Sequence, residues 1–220
     1  MSSAVAGTCG PQIPGFRWVR PLGQGGFADV FLYRQELPRR DVAIKVVRAK
    51  GDERGTLELH READAMTLLA GHPAVVELHG VGTTSDGRAY LVMEYCPVAD
   101  LLTQVRARPM SLETALDTMI KVCGVVEMFH RQGYVHRDIK PSNIMLDAYG
   151  KPVLADFGVA SKIGKLEVGA FDGFSVLWAP PEQQDMNSPA VPTQDVWALA
   201  STMWTFITGR SPFEDPIGDN

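Results

Sequence analysis

At Cys96 the hydrophobic pattern of this 220-residue chain changes period, and that change restricts what it can fold into. Before it, apolar residues come in short, strand-length runs. Residues 19–22 and 30–33 flank a glycine-rich turn, and 42–47 is a compact apolar run. One helical stretch interrupts them at 56–70, where Leu59, Ala63, Met66 and Leu69 or Ala70 recur on one face before Gly71 and His72-Pro73 end it. Residues 75–81 and 89–94 read as a hairpin turned at Ser85-Asp86-Gly87. After Cys96 the spacing is helical. Residues 111–131 follow a Ser111 N-cap and set Leu112, Leu116, Met119, Cys123 and Val126 near one face; a last helix spans 193–208. The expected fold class is α+β, with a strand-rich first lobe carrying one main helix and a mostly helical second lobe. The expected divisions are a flexible Gly/Pro/Ser tail at 1–15, the first lobe at 16–94 and the second at 95–220.

Composition narrows the function. Hydrophobic residues make up 45% of the chain and charged ones 21%, enough apolar surface for a packed core. The net charge of −5 is spread in mixed sign, with no basic block to suggest a nucleic-acid partner. The three cysteines are widely spaced, which argues against a disulfide framework or a zinc site and for a reducing compartment. The start lacks the charge and apolar run of a signal peptide, and the apolar stretch 196–208 suits a buried helix rather than a bilayer span. A cytoplasmic domain without a membrane segment in these residues is expected, an anchor beyond residue 220 being left open.

Four motifs carry chemistry. The first is Gly23-Gln24-Gly25-Gly26-Phe27-Ala28-Asp29-Val30, a glycine-rich turn between strands whose backbone N–H groups could lie close over phosphates. The second is Val42-Ala43-Ile44-Lys45: a lysine ending a buried strand is costly unless paired, and Glu62 or Glu58 on the following helix could pair with it. The third is His136-Arg137-Asp138-Ile139-Lys140-Pro141-Ser142-Asn143, followed by Asp156-Phe157-Gly158. Here one carboxylate can orient a hydroxyl, while an amide and a second carboxylate offer hard oxygens to Mg²⁺. The fourth is Trp178-Ala179-Pro180-Pro181-Glu182, with Asp195 opening the helix beyond it.

In this order, over roughly residues 16–214, these motifs resemble the eukaryotic-type protein kinase catalytic domain, in the wording of bacterial Ser/Thr kinases. Ala28 stands where the family usually has a third glycine, and Pro180 where it has alanine. The resemblance implies transfer of the ATP γ-phosphoryl group to Ser or Thr of a protein substrate, with Mg²⁺ or Mn²⁺. It implies Asp138 as the residue that receives the substrate hydroxyl, Lys140 as its Ser/Thr-kinase companion, and Asn143 and Asp156 as metal ligands. Lys45 would hold the α/β-phosphates with Glu62 behind it. ATP contacts would come from Leu22, Gly23, Gln24, Gly25, Gly26, Phe27, Ala28, Val30, Ala43, Met93, Glu94, Cys96 and Leu146. Ser175 would sit beside the catalytic loop, and Asp195 would tie that loop down. Arg137 would be balanced by Glu167 or Asp172 rather than by a phosphate.

The family's second lobe carries further helices after the position of Phe213. The expectation is therefore an incomplete lobe with an apolar patch that favours self-association, and a Glu182 carboxylate lacking its usual arginine. Two alternatives remain open: a nucleotide-binding pseudokinase or truncated regulatory module without turnover, and a small-molecule phosphotransferase of related fold. ATP binding without phosphate incorporation separates the former from a kinase.

Overall fold

The computed structural model describes residues 9–98, 100–166, 175–185 and 188–214. They form two compact units, one running to Ala63 and resuming over Glu77–Tyr95, the other made of Asp64–Val76 and the chain from Cys96.

The first unit is an antiparallel sheet of β1 (Phe16–Gln24), β2 (Ala28–Gln35), β3 (Arg40–Val47), β4 (Leu78–Thr83) and β5 (Ala89–Glu94), in the order β1-β2-β3-β5-β4. The alternation of β3 explains its two-sided burial. Val42, Ile44 and Val46 face one layer with Phe31, Tyr33 and Val92, while Val47 joins Leu91, Leu59 and Ala63 on the other. Leu59 and Ala63 belong to α1 (Glu53–Leu68), which starts a few residues before the expected helix. Asp52 accounts for the earlier start, since its Oδ1 accepts the Gly55 N–H at 2.8 Å. Ile13, within the segment read as a tail, is 3% exposed and packs into the first layer. Close by, the Tyr33 hydroxyl donates to the Pro11 carbonyl at 2.6 Å. The hairpin register pairs Val81 with Leu91, but the strand begins at Leu78; Val75 instead bridges to Leu154.

The second unit is built on α3 (Leu112–Arg131) and α4 (Pro192–Thr208), with the short α2 (Leu101–Ala107) packed on α4. The sequence reading missed α2, whose start is marked by Asp100 accepting the Thr103 N–H at 3.0 Å. Ser111 caps α3 through the Thr114 N–H, as its sequence predicts. The face of α3 agrees with expectation at Met119 and Val126 and differs at Leu112, Leu116 and Cys123. Ala115, Thr118, Met119, Val122, Val125, Val126 and Phe129 are buried, whereas Leu112 and Leu116 are exposed. Large side chains weighted the sequence reading, whereas the buried stripe runs through small Ala115 and Thr118 and leaves the two leucines outside it. α4 is likewise buried on one side only, through Ala198, Ser201, Thr202, Thr205 and Phe206; Val196, Trp197, Trp204 and Ile207 are exposed. Short ladders complete the unit: β6 (Tyr134–Val135) with β9 (Ser161–Lys162), and β7 (Ile144–Leu146) with β8 (Pro152–Leu154).

Candidate active site

In the first unit, Lys45 stands on β3 between Val30 on β2 and Leu91 on β5. Alternation turns it to the same side as Ala43 and Val47, the side that α1 covers. Its Nζ lies 2.9 and 2.7 Å from the two carboxylate oxygens of Glu62. The two side chains are 11% and 2% exposed, so each charge depends on the other to offset its lost hydration. The Nζ also lies 5.4 Å above the Phe27 ring, a cation–π contact from the glycine-rich turn. Glu58, the other candidate, pairs instead with Arg54 at 3.0 Å, one turn away on the same helix.

The glycine-rich turn is closed by the Gly25 N–H donating to the Ala28 carbonyl at 2.8 Å. Ala28 opens β2, is 1% exposed and pairs with Val47, so a methyl is accommodated where the family has glycine. Arg48, which sequence reasoning passed over, reaches the Gly25 and Gly26 carbonyls at 2.7 and 3.3 Å and Asp29 at 2.8 Å. Gly23, Gln24, Gly25 and Gly26 are exposed; Leu22, Val30, Met93 and Glu94 are half-buried and Ala43 is buried. In the second unit, Cys96 is buried and Leu146 half-buried.

The second unit gathers the catalytic-loop motif around Asp138. Its Oδ2 accepts from Lys140 Nζ at 2.7 Å and from Asn143 Nδ2 at 2.9 Å, and its Oδ1 from the Ser175 N–H at 3.1 Å. Lys140 Nζ also lies 2.6 Å from Ser175 Oγ. Asp138 is 5% exposed, and this ring of donors keeps a carboxylate with little solvent in a defined orientation. The Asp138 N–H donates to His136 Nδ1 at 3.3 Å, leaving the His136 ring proton on Nε2. That ring packs 4.8 Å from Phe157, which is 1% exposed and anchors the neighbouring motif.

Asp195 lies beneath the loop. Fully buried at the start of α4, it accepts the His136 and Arg137 N–H groups at 2.8 Å each, and its Oδ2 sits 2.8 Å from His130 Nε2 on α3. Two backbone donors and an imidazole offset the cost of burying its charge.

Asn143 and Asp156 flank the same end of the β7–β8 ladder, which the Ala155 N–H extends by donating to the Asn143 carbonyl at 2.9 Å. The Asn143 amide nitrogen is turned to Asp138, donating to its main-chain oxygen and its Oδ2, so the amide oxygen points the other way. Asp156 is exposed, and its backbone is left-handed at φ 61. An amide oxygen and a carboxylate fit a hard divalent ion that takes its other ligands from phosphate and water. No cluster of three or more His, Cys, Asp or Glu able to hold a metal occurs among the described residues. Glu182 is exposed rather than buried, so its carboxylate needs no buried partner. Glu167 and Asp172 lie outside the described residues.

The protein kinase domain family matches residues 16–220 of the sequence. The chain belongs to that family. Among similar proteins, the serine/threonine-protein kinase PknK of Mycobacterium tuberculosis is 36% identical over 218 residues, covering 95% of this chain and 20% of PknK. The Arabidopsis thaliana serine/threonine-protein kinase PEPKR2 is 36% identical over 197 residues, covering 89% of this chain and 40% of its own length. PrkC of Bacillus subtilis is 32% identical over 211 residues, covering 93% and 32%. The kinase domain described here thus spans well under half the length of these relatives. No helix among its described residues is long and apolar enough to cross a membrane.

Proposed function

We propose that this kinase domain transfers the γ-phosphoryl group of ATP to serine or threonine hydroxyls of protein substrates, with Mg²⁺ or Mn²⁺ as the metal. The observation that carries this reading is the setting of Asp138, whose two oxygens are engaged by Lys140, Asn143 and Ser175. A carboxylate held in this way can accept a hydrogen bond from an incoming hydroxyl and align it. As the new O–P bond forms, the bond from the γ-phosphorus to its bridging oxygen breaks and ADP departs. The hydroxyl proton passes to Asp138. The Lys140 ammonium places positive charge beside the same carboxylate, where charge on the transferring group is spread over phosphoryl oxygens. Similar proteins are named serine/threonine-protein kinases, which supports the choice of acceptor.

Lys45, held by Glu62, is assigned to the α/β-phosphates, with the glycine-rich turn supplying backbone N–H groups. Asn143 Oδ1 and the Asp156 carboxylate would hold the metal ion, which neutralises phosphate charge when bound. The exposed apolar side of α4 would favour association between copies, a part of the reading separate from the chemistry.

The test is incorporation of labelled phosphate from ATP into a generic protein substrate. The parent should label it. Asp138→Asn should lower the rate by about 10²–10⁴-fold while nucleotide binding stays near parental, because the side chain positions the acceptor hydroxyl. Equal rates in the two proteins would remove Asp138 from the mechanism. Nucleotide binding without any labelling by the parent would favour a binding module.

A further inference from the structure

Arg137, directly before Asp138, has a left-handed backbone at φ 68. That region is costly for a residue with a side chain, and it persists only where the surroundings hold it. The hold on one side is Asp195, which takes the Arg137 N–H. On the other side, Gln183 Nε2 donates to the Arg137 carbonyl at 2.6 Å. That carbonyl belongs to the peptide joining Arg137 to Asp138, and the N–H of the same peptide donates to His136 Nδ1. The peptide plane is therefore pinned at its oxygen by Gln183 and at its nitrogen by His136. Gln183 is 4% exposed and sits in a 3-10 turn, Pro181–Gln184, where its own N–H donates to the Pro180 carbonyl at 3.1 Å. A buried amide on a fixed backbone is suited to holding a neighbour in place.

We propose that Gln183 is a positioning residue for phosphoryl transfer: its amide clamps the Arg137–Asp138 peptide and so aims the Asp138 carboxylate. The inference rests on the role assigned to Asp138 above. Without the donor, the buried carbonyl loses this partner and the left-handed residue loses a restraint, so the peptide can turn and carry Asp138 with it. The clamp acts on the peptide before Asp138, whereas Lys45 is held by Glu62, so nucleotide affinity should be spared.

Gln183→Met keeps length and volume but removes the donor. Its kcat should fall about 10- to 100-fold, with KM for ATP within about twofold of the parent. Hydrogen exchange at the Asp138 amide should accelerate by about tenfold or more. Gln183→Glu keeps the reach and can donate only when protonated, and burial beside a carbonyl raises the pKa of that carboxyl. Its activity relative to the parent should rise as the pH falls from about 8 to about 6, while the Gln183→Met ratio stays flat. Parental kcat and parental exchange in Gln183→Met would overturn the proposal. So would a loss of kcat with parental exchange and a flat Gln183→Glu profile, which would assign Gln183 to packing alone. If Gln183→Met loses its cooperative melt, the Gln183→Glu pH profile decides. If the parent transfers no phosphate, the functional reading fails by itself, and the exchange measurement still decides whether Gln183 clamps this peptide.

Discussion

Lys45 and Glu62 together put two charges where solvent barely reaches, 11% and 2% exposed. Neither is tolerable there alone, since removing one partner of a buried pair leaves an uncompensated charge at a cost of about 3–5 kcal/mol. Glu58 on the same helix is bound to Arg54 and more exposed, where an ion pair contributes about 0–1 kcal/mol. These magnitudes separate the two glutamates. Lys45→Met should abolish most labelling activity and remove the stabilisation that ATP gives in thermal melts. Glu62→Gln should reproduce part of that loss, and Glu58→Gln should stay near the parent. A larger effect at Glu58 than at Glu62, read from the same labelling assay, would contradict the pairing seen between β3 and α1.

At the scale of elements, the outer layer of the sheet is tied down by residues that precede the first strand. Ile13 fills the layer and Tyr33 anchors Pro11, so the hydroxyl of a buried strand residue holds a segment more than twenty positions earlier, 22 residues away in sequence. Burial raises the Tyr33 phenol from 10.0 to about 12, with a smaller contribution from Cys9. The folded state therefore keeps this proton after the unfolded chain has lost it. The stabilisation is complete below pH 10 and disappears as the pH rises toward about 12. Tyr33→Phe should cost about 1 kcal/mol at neutral pH from the lost hydrogen bond. In denaturant unfolding it should also show a shallower loss of stability across that alkaline window than the parent. Identical slopes in the two proteins would remove Tyr33 from the alkaline transition.

For the molecule as a whole, the surface of α4 is the feature that stands apart. Val196 is 59% exposed, Trp204 54% and Phe213 54%, and Trp197 stacks on Phe213 with ring centroids 6.0 Å apart. On the proposal that copies associate through this side of α4, these exposed apolar groups would supply the contact while contributing little to the fold. Trp204→Glu should reduce concentration-dependent association in sedimentation velocity and leave the melting transition within about 0.5 kcal/mol of the parent. A parent that sediments as a monomer across the whole concentration range would remove this surface as a driver of assembly.

Much of this protein is legible in its residues taken in order. The change of hydrophobic period at Cys96, the Ser111 cap of α3 and the Gly71 stop beyond α1 are local signals, and local physics suffices to read them. The motifs containing Lys45, Asp138, Asn143 and Asp156 are legible too, because each keeps distinctive chemistry within a few consecutive positions. What these signals lack is the partner far along the chain. Gln183 lies 46 residues from the carbonyl it binds, and nothing near it in sequence announces that bond, whereas the tie from Asp195 to the Arg137 N–H is expected from the motif resemblance. The left-handed backbones at Arg137 and Asp156 have no glycine to announce them, since the surrounding contacts impose them. The buried stripe of α3 includes small Ala115 and Thr118 while Leu112 and Leu116 are exposed, so the largest apolar side chains do not mark it. The sequence by itself determined most of the elements and which residues are candidates for the chemistry, because period and residue chemistry are local. Only the tertiary structure decided between Glu62 and Glu58 and brought Gln183 to the Arg137 carbonyl, because a hydrogen bond requires a partner within about 3 Å, wherever it lies in the chain.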